Sequence, residues 1–181
     1  MPVKYIALLR GINVGGKDII KMADLKKAFE DMKCENVRTY IQSGNVIFSA
    51  AEKDKKIIAH NIEKTLSGKF NFSVSIALFT AAEMKKIEGN MPTEWDSNSE
   101  NYRCDVWFLR APLTAGEVMR SIELREGVDK AYNGKKVVYT SRLNSQMGKS
   151  YLSKIIQYPE VYQNITIRNR NTVKKITEML E

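Results

Sequence analysis

The chain of 181 residues predicts an α+β fold: two ferredoxin-like repeats, each β-α-β-β-α-β with an extra helix, paired as an internal pseudo-dimer. Three observations predict it. Short β-rich runs alternate with helical apolar stripes in the same order in both halves. A threonine capping box opens a helix in each half. A polar, proline-containing stretch, "NMPTEWDSNSEN" at 90–101, lies between them. The boundaries read from this are 1–90 for the first subdomain, 91–102 for a linker and 103–181 for the second subdomain.

In the first half, Val3 to Arg10 is an almost continuous apolar run, the pattern of an interior strand. Leu25, Ala28, Phe29 and Met32 fall on one stripe of an amphipathic helix. "NVRTYIQ" and "NVIFS" are β-rich runs that meet at Ser43-Gly44, which predicts a hairpin. Ile58, Ile62 and Leu66 stack on a second helix, expected to stop at Gly68. "FSVSIALF" reads as a fourth strand. Thr80 and Glu83 then form a capping box, since the threonine oxygen and the glutamate satisfy amides left free at a helix start.

The second half repeats the order. "CDVWFLR" is a strand, and Thr114 with Glu117 caps a helix. Asn133-Gly134 predicts a type I′ hairpin turn, with "KKVVYT" as the return strand. Gly148 to Gln157 reads as a helix, "NITI" as a strand, and Thr172 to Leu180 as a helix with Val173, Ile176 and Leu180 on one side. "TAAEMKKI" beside "TAGEVMRSI" is a short echo between the halves.

Three motifs, "LLRGINVGGKDIIKMADL", "NVRTYIQSGNVIF" and "TIRNRNTVKKI", resemble a bacterial family known as domain of unknown function 1697. They lie toward both ends of the chain, so the resemblance is effectively full length. It implies a two-copy α/β architecture and brings no established activity. The family pattern carries a tryptophan between the two asparagines of the last motif, where this chain has Arg170, which weakens any aromatic platform there.

Composition sets the outer limits. With 29 Lys+Arg against 21 Asp+Glu, the net charge of +8 favours anionic partners such as nucleic acids or phosphorylated small molecules. No apolar run approaches the length of a membrane span, and no secretory signal is recognisable, so a cytoplasmic protein without a membrane partner is expected. Cys34 and Cys104 are far apart and read as buried or half-buried small residues. The acidic residues form no ligand cluster, so neither a metal nor a cofactor is expected.

The candidate site is an anion site. "RGINVGGK" fails the dinucleotide fingerprint, and "LNSQMGKS" lacks the first glycine of a Walker A loop. Yet glycines let amides approach an anion, and neighbouring cations add charge. Arg10, Asn13, Gly15, Gly16 and Lys17 therefore make half of a site, or else a flexible strand-to-helix connection. Arg38, Tyr40 and Gln42 alternate on the second strand, with Ser43 and Asn45 beside them, and read as a pocket wall or a polar rim. Arg168, Asn169, Arg170, Asn171 and Thr172 precede a helix, where cations are unfavourable unless an anion or carboxylate answers them. Lys149 and Ser150 open the helix after the second hairpin and are further anion contacts.

Three functions compete. The first is a module that binds a small phosphate- or carboxylate-bearing ligand, held jointly by the two ends of the chain. The second is an RNA- or DNA-binding protein, with Phe48 and Tyr139 roughly where a base-stacking ring sits on a ferredoxin-like sheet. The third is an enzyme acting on a phosphorylated substrate. No nucleophile or base can be named for it, because His60, the single histidine, reads as a solvated surface residue. Whether the chain is an enzyme, and its oligomeric state, stay open at this point.

Overall fold

A computed structural model describes residues 1–97 and 100–181, without the side chains of residues 96 and 97. It is a mixed α+β structure with two four-stranded antiparallel sheets and helices. The chain divides into two compact units, 1–84 with 176–181, and 85–175. Part of the stretch read as a linker, residues 98–99, lies outside the described residues; Glu94–Ser97 within it forms a short helix, α4.

The first sheet holds β1 (Val3–Arg10), β2 (Glu35–Tyr40), β3 (Asn45–Ala50) and β4 (Ser75–Thr80) in the order β2-β3-β1-β4. Helices α1 (Met22–Asp31) and α2 (Lys55–Phe70) pack on one face. Tyr5, Ala7 and Leu9 alternate inward to meet Leu25, Phe29, Ile58, Ile62 and Leu66. At the centre, Phe48 lies 5.7 Å from Tyr5 and 5.2 Å from Phe29. On the opposite face Ile6 and Leu8 are fully buried as well.

Helix α2 runs through Gly68 and ends at Asn71, which takes the left-handed conformation (φ 61°) and donates its N–H to the Ser67 carbonyl. Asparagine tolerates that conformation as glycine does. The Thr80–Glu83 capping box is present, with Glu83 N–H donating to Thr80 Oγ1 (3.2 Å) and Thr80 N–H to Glu83 Oε2 (2.9 Å). It opens α3 (Ala81–Gly89).

The second sheet holds β5 (Tyr102–Leu109), β6 (Asp129–Asn133), β7 (Val137–Leu143) and β8 (Ile165–Asn169) in the order β6-β7-β5-β8. Its helical side is built differently. The capping box at Thr114 opens α5 (Ala115–Ser121) as expected. The helix expected over Gly148 to Gln157 is instead two 3-10 segments, Asn144–Lys149 and Leu152–Gln157, followed by α6 (Pro159–Tyr162). Ser150 interrupts them in extended conformation (φ −62°, ψ 137°) because Asp129 holds it. Ser150 Oγ donates to Asp129 Oδ1 (2.6 Å), and the Tyr151 N–H donates to Oδ2 (2.7 Å).

The second hairpin is not a two-residue type I′ turn. Its left-handed residue is Lys136 (φ 65°), and Gly134 is required for space, since a Cβ there would lie 2.7 Å from Tyr139 and Val137. The closing helix α7 spans Arg170–Glu178 and starts directly after β8. Asn169 caps it, accepting the Asn171 N–H at 2.9 Å. The "TAAEMKKI" and "TAGEVMRSI" echo pairs α3 with α5, which follow different strands of their sheets; α7 is the helix that follows β8 as α3 follows β4.

Candidate functional site

The glycine-rich loop belongs to the first unit and forms a miniature hairpin. Val14 and Lys17 are bridged, with Lys17 N–H donating to the Val14 carbonyl (3.1 Å). Gly15 and Gly16 between them both have positive φ, 59° and 75°, as a type I′ turn demands. Asn13 staples the loop down: its Nδ2 donates to the carbonyls of Ile20 (3.0 Å) and Gln42 (2.8 Å), and its Oδ1 accepts the Ile20 N–H (2.8 Å). Its amide is thereby committed to the fold. Lys17 projects from the exposed tip, while Arg10 is half-buried at the end of β1.

The polar hairpin residues are also tied up. Strand β2 ends at Tyr40, so Gln42 lies in the turn and does not continue the alternation of Arg38 and Tyr40. Arg38 donates to the Met179 carbonyl, and Lys4 Nζ to the Leu180 carbonyl at 2.7 Å. Cations on carbonyls just past a helix end are the favourable arrangement for the helix dipole. Asn45 is fully buried, donating to the Tyr40 carbonyl (2.8 Å) and Ser43 Oγ (3.1 Å).

In the second unit, Ser150 uses its hydroxyl on Asp129 and on the Leu152 N–H (3.2 Å), while Lys149 beside it is exposed. Arg168 is 7% exposed, donates to the Ile167 carbonyl (2.8 Å), and has its pKa pulled down to about 10 by burial. Of the segment that follows, Arg170 and Asn171 stand at the start of α7. The two segments that the sequence reading joined into one site, the loop at 10–17 and this one, belong to different units.

At the start of α7 lies a recess of about 120 Å³ lined by Tyr102, Cys104, Asn169, Arg170 and Asn171. Asn169 Nδ2 donates to the Cys104 carbonyl (3.1 Å), and Arg170 donates to the Trp95 carbonyl. Burial pushes the Cys104 thiol up to about 11, so it stays protonated and is no nucleophile at neutral pH. Lys130 Nζ sits 5.7 Å from the Tyr102 ring centroid and 3.0 Å from Glu94 Oε1, which also accepts from the Tyr132 hydroxyl (2.6 Å). Those two hydrogen bonds, Tyr132 first, hold the Glu94 carboxyl below its ordinary range.

The sequence pattern described as "Protein of unknown function (DUF1697)" matches residues 3–139. The chain belongs to the DUF1697 family. Among solved structures, it is similar to the conserved bacterial protein SP0830 from Streptococcus pneumoniae, at 28% identity, with both chains covered in full and a TM-score of 0.86. No curated protein matches. The family thus brings an architecture to this chain and no activity.

The base-stacking rings fail in this DUF1697 chain. Phe48 is fully buried on the helix side of its sheet. Tyr139 is 3% exposed, donates its hydroxyl to the Ile87 carbonyl (2.7 Å) and meets Trp95 edge-on at 5.9 Å. His60 is exposed, as expected. Among the described residues, no group of three or more metal-type side chains comes together, and no helix is long and apolar enough to cross a membrane.

Sequence reasoning missed Tyr102, which lines the recess, and the Glu94, Lys130 and Tyr132 cluster beside it in the same unit, because they come from a stretch read as linker and from an edge strand. It also missed Asp105, which is fully buried and shares a sheet face with Trp107 and Leu109. A charge in phase with apolar residues along "CDVWFLR" was the available signal.

Proposed function

We propose that this protein is a binding module for a small anionic ligand, with the phosphate or carboxylate seated at the start of α7. The observation that carries the reading is the recess of about 120 Å³ in which Arg170 and Asn171 stand at the amino end of a nine-residue helix. The positive pole of the helix faces that end, and an anion would answer both the pole and the arginine placed on it. Tyr102, which also lines the recess, adds a hydroxyl donor, and Lys130 stands 5.7 Å from the centroid of its ring. We also infer that the two halves are duplicated ferredoxin-like units. The identical strand orders support this, as do the two helices α3 and α7, each capped by the last residue of the preceding strand.

The test is a phosphate titration followed by thermal unfolding. A site filled to 100 times its Kd stabilises by about 2.7 kcal/mol. Wild type is expected to shift to higher Tm, Arg170→Ala to lose the shift, and Arg10→Ala to keep it. An equal shift in Arg170→Ala and wild type would remove the recess from consideration.

A further inference from the structure

The recess at the start of α7 shares two lining residues, Tyr102 and Cys104, with a second, smaller space. The same two residues wall an adjoining hollow of about 10 Å³, closed by Glu94, Trp95, Lys130 and Ser141. That volume takes one oxygen-sized group. Trp95 is 3% exposed, and its Nε1–H meets no acceptor among the described residues. A buried donor without an acceptor is rare in native proteins and asks for an explanation. Trp95 lines the hollow, and Arg170, which lines the recess, donates to the Trp95 carbonyl. Lys130, paired with Glu94 at 3.0 Å, supplies a cation on the same wall.

Resting on the anion reading above, we propose that the ligand is bifunctional. Its phosphate or carboxylate sits at the start of α7, and a hydroxyl or carbonyl oxygen close to that group enters the hollow and accepts from the Trp95 indole. The small volume of both spaces restricts the ligand to short phosphorylated or carboxylated polyols and hydroxy acids. A nucleotide would project far outside them. Glu94, held ionised by Tyr132 and Lys130, accepts the proton that a hydroxyl would donate in return.

Calorimetric titration of inorganic phosphate and of glycerol 3-phosphate tests this. Wild type is expected to bind the polyol phosphate at least about tenfold more tightly, the difference made by one good hydrogen bond. Trp95→Phe, which keeps the ring against Tyr139 and removes the N–H, is expected to bind both alike. Arg170→Ala is expected to bind neither. Equal affinities in wild type would mean that the hollow holds only water, and would overturn the inference while leaving the anion reading intact. Binding of neither compound by wild type would overturn both. Should Trp95→Phe not fold, the Trp95 indole N–H resonance decides: it must move with glycerol 3-phosphate and stay put with phosphate.

Discussion

Arg142 on β7 donates to Asp105 on β5 at 2.9 Å, on the helix-facing side of the second sheet, and Arg103 meets the same oxygen at 2.9 Å. The Asp105 side chain is 1% exposed, and its second oxygen has no partner among the described residues. In the first sheet the corresponding register positions hold Tyr5, Phe48 and Ala50, where the second has Asp105, Thr140 and Arg142. The same topology is thus filled once with stacked rings and once with an ion pair. Fold alone does not require the charge.

Breaking such a pair is costly, about 3–5 kcal/mol, whereas replacing it whole by apolar groups is often neutral. Asp105→Ala is therefore expected to lose about 3 kcal/mol in urea unfolding. The triple variant Asp105→Tyr, Thr140→Phe, Arg142→Ala, which transplants the first sheet's arrangement, should recover most of that loss. A triple variant as unstable as the single would show that the second core cannot take the first core's packing.

Glycines with the same sign of φ differ sharply in what they protect. Gly44 (φ 75°) is buried against β1, and a Cβ would stand 2.6 Å from Ile12 Cδ1 and 2.8 Å from Leu9 Cβ. Gly15 and Gly16 have nothing within 4 Å. Gly44→Ala adds overpacking, about 1–3 kcal/mol, to the left-handed penalty of about 1–2 kcal/mol. Gly15→Ala should show only the second. Similar unfolding midpoints for the two variants would contradict this assignment.

The elements legible in the sequence were those fixed by local chemistry. The Val3–Arg10 run, the Leu25–Phe29 stripe and the capping boxes at Thr80 and Thr114 depend on neighbours a few residues away, and they formed where the pattern put them. What was not legible depends on distant partners. Ser150 breaks a helix because Asp129, 21 residues earlier, binds it. Gly134 is fixed by the bulk of Tyr139, not by its turn type. Asn13, read as a ligand contact, serves a carbonyl 29 residues away. Side-chain type marked these residues as special, but only the register of the sheets says what they touch.

The Asp129 carboxylate accepts from Ser150 Oγ, Tyr151 N–H and the Arg125 N–H (3.0 Å), so one group organises the 3-10 segments. Hydrogen bonds to a charged acceptor contribute about 1.5–3 kcal/mol each and are not additive. Asp129→Ala should destabilise by at least about 3 kcal/mol and abolish protection of the Tyr151 amide in hydrogen exchange. Ser150→Ala, which keeps the carboxylate, should cost about 1 kcal/mol and leave that amide protected. Lys149→Ala, at an exposed position, should leave stability unchanged.

Alkaline pH should unfold the protein through its buried and half-buried acids. Burial pushes the thiols of Cys34 and Cys104 up to about 11 and the Tyr139 hydroxyl up to about 12. The folded chain keeps protons that the unfolded chain gives up once pH passes the ordinary thiol value of 9.0. Their contribution to stability is therefore complete below pH 9 and falls as pH rises toward 11, by on the order of 1 kcal/mol per thiol. Urea midpoints measured at pH 8 and pH 10.5 should drop accordingly, and the drop should shrink in the Cys34→Ser, Cys104→Ser double variant. The same burial predicts slow modification of both thiols by iodoacetamide at pH 8 in the native protein, becoming fast in urea. A midpoint independent of pH over that interval would mean that these groups ionise in the folded chain as readily as in the unfolded one.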